Sequence, residues 1–425
     1  MIFLQTIVQK LAQLFLWMIK SIGQVIRKII ITGCSLLGQL IAFLKWIFPQ
    51  LKLGVEWASK CFYSCAKYLL EHRLVIIVCL LLLGFGTLTL AAILPNLHNF
   101  EGNLIVEELS FTYEGTQPKE FINRISKISS IESEGKQTLT FTGKFQSETM
   151  PEINQLQELK IVSNQWAIAP ANPKINSDID LTELSLQPQA QVSSLSYDFI
   201  RHQLIFSVQS ESKPNLLKIY LGSQPLKITL AEYQLPDLNL PNDDSRLKNL
   251  EFVLTPRNKQ FKLDIIQPTK FYITSQNLPR NSFKNWFGNR IEVQDIKLSR
   301  SDPNISKFTE NLQISTIVEG KIRMAEQEKE MKPNQFLIIE KPGIKLLRHT
   351  EVIPEKGIEI RFSGITKSLE IGLDHSFPVT QIKASWLDSL LPRDAIIALI
   401  SFSAATFSYL LNWLIEHAAR SSHKP

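Results

Sequence analysis

The sequence predicts a membrane-anchored α+β protein, with a helical N-terminal region and two transmembrane helices flanking a mostly antiparallel β exterior domain. Three observations carry this expectation. Two stretches of 21 uncharged residues, 74–94 and 395–415, lie towards the ends of the 425-residue chain. At about 1.5 Å rise per residue each reaches about 31 Å, the thickness of a hydrocarbon core. Between them apolar residues recur with a period of two, as in half-buried strands. Ahead of them the apolar period is helical. With 44% hydrophobic and 20% charged residues, the chain is neither wholly disordered nor collagen-like.

Residues 1–73 read as an amphipathic cytoplasmic or membrane-surface region. Leu4, Val8, Leu11, Phe15, Met18, Ile22, Val25 and Ile29 alternate spacings of four and three, which puts them on one helix face. Leu11, Phe15, Met18 and Ile22 would enter the membrane surface, while Lys20 and Arg27, off that stripe, would meet anionic headgroups. A second such helix runs from Leu51 to Leu69. Between them, 29–44 is uncharged but only 16 residues long, so a surface helix, a re-entrant segment and a further span all stay open. The same apolar seam would also serve oligomerisation.

Nine Lys and Arg against Glu56 and Glu71 give 1–73 a charge of +7, leaving −1 for the rest of a chain of net charge +6. Those cations interleave with Leu, Ile, Phe and Trp at helical spacing, which points to a lipid membrane as partner and away from nucleic acid. Lys60, Lys67 and Arg73 precede the first span and no cation follows it until Lys119, so the N-terminal side is expected in the cytoplasm. The second span, 395–415, then returns the tail, 416–425, to the same side, with 96–393 exported. A plasma membrane of bacterial type fits this topology and the lack of a transit peptide.

The exterior segment divides softly near Pro170–Pro173 into a small α+β portion, 96–175, and a mainly β portion, 176–393. Alternation is clear at Leu109–Tyr113, Leu204–Val208, Leu217–Leu221, Leu226–Leu230, Leu250–Leu254, Phe261–Ile265, Ile358–Phe362 and Leu369–Leu373. The spacing of Phe121, Ile122, Ile125 and Ile128 predicts a helix over Gln117–Ser129, and a turn is expected at Asn304–Glu310.

No nucleotide-binding, nucleophile-elbow or zinc-protease motif is present, and all four cysteines precede residue 80. Asp374-His375-Ser376 matches a catalytic triad only in its letters, because strand neighbours face opposite ways. Asp178, Asp180 and Glu183 resemble the start of a calcium loop without its glycine and closing glutamate, and read as a solvated turn. No catalytic, metal or cofactor residue is therefore assigned. The expected function is non-enzymatic: an exported β-rich domain that binds or scaffolds envelope components, with a protein partner there. Two other readings are a transmembrane sensor coupling an exterior ligand to the N-terminal helices, and an enzyme whose site assembles only in the fold.

Overall fold

The computed structural model describes residues 39, 73–236, 238, 249–276, 280–301, 313–374 and 377–422. Leu11, Phe15, Met18, Lys20, Ile22 and Arg27 lie outside the described residues, as do the 29–44 segment, Asn304–Glu310, His375 and Ser376. The chain forms two compact units, one of residues 1–94 with 390–425 and one of residues 95–389.

In the first unit two α-helices are described, α1 (Arg73–Ile93) and α2 (Arg393–Ser422). Of the two spans expected, one is matched by a described helix long and apolar enough to cross a membrane: α2 over Arg393–Glu416, 24 residues. At about 1.5 Å per residue it reaches about 36 Å. The apolar run described within α1, Ile77–Ile93, is shorter. Hydroxyls along both helices donate to carbonyls a turn earlier: Thr89 to Phe85 at 2.7 Å, Ser401 to Ile397 and Thr406 to Phe402 at 2.8 Å. Back-bonding of this kind hides a polar group where no water is at hand. The helices pack against each other, with the Phe85 and Phe402 rings edge-to-face at 6.2 Å.

The second unit is antiparallel β-sheet. Its first strands are β1 (His98–Val106), β2 (Glu108–Tyr113), β3 (Lys119–Ile122), β4 (Ile128–Gln146) and β5 (Glu158–Pro170). Next come β6 (Asp180–Leu186), β7 (Gln191–Asp198), β8 (Gln203–Gln209), β9 (Asn215–Tyr220), β10 (Leu226–Gln234), β11 (Asn249–Pro256) and β12 (Gln260–Ile265). β13 (Thr269–Ser275), β14 (Ile291–Lys297), β15 (Ser299–Ser301), β16 (Gln313–Ser315), β17 (Ile317–Met324) and β18 (Gln327–Met331) follow. The last are β19 (Phe336–Ile339), β20 (Gly343–Ile353), β21 (Gly357–Thr366), β22 (Ser368–Asp374) and β23 (Phe377–Lys383).

Fourteen of these strands form one sheet in the order β11-β10-β5-β4-β13-β8-β7-β2-β14-β20-β21-β1-β17-β18. At one end the sheet closes on itself, because β11 pairs with β10 and also, through Val253–Pro256, with Gly143–Gln146 of β4. β4 bends to do this at Gly135, whose φ of +134° accompanies a register shift against β5 between Glu134 and Gln137. A Cβ there would press on the Pro268 carbonyl at 2.7 Å, so the bend requires glycine.

A second sheet, β12-β9-β6-β3, packs on the first. Phe261 of β12 stacks on Phe141 of β4 at 5.0 Å, and Phe121 of β3 meets Phe111 of β2 at 5.3 Å. The alternating residues that predicted strands, such as Leu204, Phe206 and Val208, or Phe261, Leu263 and Ile265, are buried in one continuous core. Each such side chain contributes roughly 1.5–3 kcal/mol when fully buried.

The helix expected over Gln117–Ser129 does not form. Lys119–Ile122 is β3, paired with β6, while the Ile125 N–H donates to Leu181 and the Ile128 N–H to Ile179. Phe121, Ile122, Ile125 and Ile128 are all fully buried, so the spacing that mimics a helix face marks an irregular strand passing between the sheets. Three isoleucines suit that extended path better than a helix. No α-helix occurs in 95–175, where the one helical turn is the 3₁₀ segment Pro151–Gln155. The soft break near 175 is a connection between β5 and β6, and β5 pairs with β10 from beyond it.

Candidate functional site

The carboxylates that resemble a calcium loop are dispersed by the fold. Asp180 accepts from the Arg124 guanidinium at 2.6 Å and from the Lys127 N–H at 3.1 Å. Asp178 accepts from the backbone and hydroxyl of Ser223, and Glu183 pairs with Lys218 and Ser185. Each carboxylate has its own protein donors, and they fasten loops and strands. Among the described residues no group of three or more His, Cys, Asp or Glu is arranged to hold a metal ion. His98 bonds the Ser385 carbonyl at 2.7 Å, and His349 lies between Asn289 and Glu351.

The feature with the shape of a site is a cleft of about 770 Å³ where the large sheet splits. β14 and β20 pair only through Ile291 with Leu347 and Glu292 with Leu346. Continuing that register would set Val293 against Lys345, Gln294 against Ile344 and Asp295 against Gly343. Instead the strands diverge, and Gln294–Ser299 and Lys341–Lys345 line opposite sides of the opening.

Bulges on both strands drive the divergence. In β14 the register against β2 shifts between Gln294 and Lys297, with Asp295 at a φ of +53°. In β20 the register against β21 shifts between Ile344 and Leu346 and again between Leu347 and His349. An extra residue bends its strand and re-aims it, so bulges on adjacent strands open a wedge.

Chemically the cleft lining is mixed. Ile296, Leu298, Leu337 and Ile339 supply apolar surface, and Lys297, Lys341 and Lys345 supply positive charge against the single carboxylate of Asp295. Lys345 is held by Glu114 at 3.1 Å. The Ser299 hydroxyl donates to the Gln313 side chain, an amide that cannot act as a base. In β2, opposite Val293, Tyr113 donates to the Gln117 carbonyl at 2.6 Å, and burial together with the Glu292 charge raises its pKa above 10.0, keeping the phenol protonated.

The β unit has two exposed apolar features besides. Leu97 and Trp386 flank the place where its two ends meet: Pro95 bridges Ser385, and the Asn96 N–H donates to Ala384. At the β22–β23 hairpin, Leu373, Phe377 and Val379 are about 70% exposed (68%, 74% and 71%). The alternation Leu369–Leu373 predicts a buried face that Leu369 and Ile371 keep, but Leu373 breaks from it at the hairpin and is exposed, and the cleft has no counterpart in the sequence pattern. A cleft made by bulges leaves no periodic signal, because a bulge is a local break in the period.

No known family matches the chain, and neither a curated protein nor a solved structure is significantly similar to it.

Proposed function

We propose that the protein is a non-enzymatic membrane protein whose exported β unit binds or scaffolds a component of the cell envelope. In this reading both α1 and α2 cross a plasma membrane, with 96–393 outside and both termini in the cytoplasm. The observation that carries it is the meeting of the β unit's two ends at Pro95 and Ser385, the first preceded and the second followed in the chain by an apolar helix. A β unit with ends side by side is suited to tethering by a helical hairpin. Lys60, Lys67 and Arg73 ahead of α1 support the orientation. A cleft lined by apolar groups and lysines, without a nucleophile and base in reach of each other, supports binding over catalysis.

Thiol labelling in intact cells tests the topology. With the four native cysteines replaced by serine, Ser212→Cys, at an exposed turn, should react with an impermeant maleimide, and Ser422→Cys should react only after permeabilisation. The opposite pattern would place the β unit in the cytoplasm and remove the envelope reading.

A further inference from the structure

We propose that the cleft between β14 and β20 receives an extended segment of a partner protein, alternately acidic and apolar, which docks as an added strand in the interrupted sheet. This rests on the reading that the β unit binds a protein.

Backbone atoms of both strands face the opening. Successive side chains of a strand point to opposite faces, so a groove lying on a sheet face is lined by every second residue. Here the lining runs without a gap through Gln294–Ser299 and again through Lys341–Lys345. The opening therefore meets the edges of the two strands, where backbone N–H and C=O groups lie. β14 keeps β2 on its far side and β20 keeps β21, but over Val293–Lys297 and Gly343–Lys345 their near edges have no ladder partner among the described residues; beyond β14 the Leu298 carbonyl accepts from the Thr316 N–H and Ser299 pairs with Ser315. Two facing strand edges select an extended backbone above any compact ligand.

The cleft is also positively charged. Three lysines and one aspartate give the lining a charge of +2, and among the described residues neither Lys297 nor Lys341 has an ion-pair partner. Lysines on an open edge repel unsuited strands and admit one that carries carboxylates. Apolar Ile296, Leu298, Leu337 and Ile339 would take the alternate side chains. The four residues Gln294–Lys297 offer an edge of roughly 13 Å at about 3.3 Å per residue, so a hexapeptide is long enough to span it.

The probe is a fluorescent, end-capped hexapeptide of alternating valine and glutamate, titrated by anisotropy into the full-length protein in lipid nanodiscs. Saturable binding is expected, at least tenfold weaker for the lysine-for-glutamate peptide and for a peptide N-methylated at alternate residues, which loses donors along one edge. Lys297→Glu with Lys341→Glu, both at exposed positions, should weaken the acidic peptide at least tenfold and leave the circular-dichroism spectrum unchanged. No saturable binding, equal binding of the N-methylated peptide, or a variant that binds like the wild type would each overturn the inference. An envelope protein that still cross-links to the β unit in the double variant would remove the cleft as its site and leave the proposed function standing.

Discussion

Gly102 of β1 lies directly across from Phe362 of β21, and two residues away Phe100 lies across from Gly364. Each ring covers the bare backbone of the opposite glycine, and the rings meet edge-to-face at 6.3 Å. A Cβ on Gly102 would clash with the tip of the Phe362 ring, against Cζ and both Cε atoms. Gly102→Ala should therefore destabilise the β unit by about 1–3 kcal/mol, the usual cost of overpacking, as read from the denaturation midpoint. Glu183 gives a pH-dependent counterpart. Burial alone would raise its pKa, but the hydrogen bond from Lys218, the one from Ser185 and the Lys218 charge outweigh burial and hold it below 4.5. A carboxyl lowered in the folded state stabilises above its unfolded pKa and loses that contribution as pH falls through the folded value. The melting-temperature gap between wild type and Glu183→Gln should thus be constant at neutral pH and shrink on acidification below 4.5. A gap that widens in acid would reverse the assignment.

Among elements, strands with regular alternation were legible in the sequence, as at Leu226, Ile228 and Leu230, because a half-buried strand writes its period into the chain. β1 was not, since Asn99, Glu101, Gly102 and Asn103 have low strand propensity and the strand is held in place by partners on both sides. The buried run from Phe121 to Ile128 misled for the opposite reason, with a helical spacing whose backbone partners come from distant residues. The cleft was illegible because it depends on register shifts in β14 and β20, which no local pattern encodes. In α2 composition and structure agree, and Ala405 lies exposed near the middle of Arg393–Glu416. A charge there opposes insertion by about 2.5–3.5 kcal/mol, so Ala405→Arg should shift the protein towards the alkali-extractable fraction of membranes. Unchanged extraction would show that this face of α2 does not meet lipid.

At the scale of the molecule, the β unit is held by one core spanning Phe100 to Ala384, and strands from either side of residue 175 alternate within its main sheet. β1, near the start of the unit, pairs with β17 and β21 near its end, so neither part of the sheet is complete without the other. The central claim is that residues 95–389 are one autonomous β unit, separable from the helices. Thermal unfolding of that fragment, followed by circular dichroism, tests it most directly. A soluble fragment with a β-dominated spectrum and a single cooperative transition is the predicted result; a mainly helical spectrum, or two separated transitions, would contradict it.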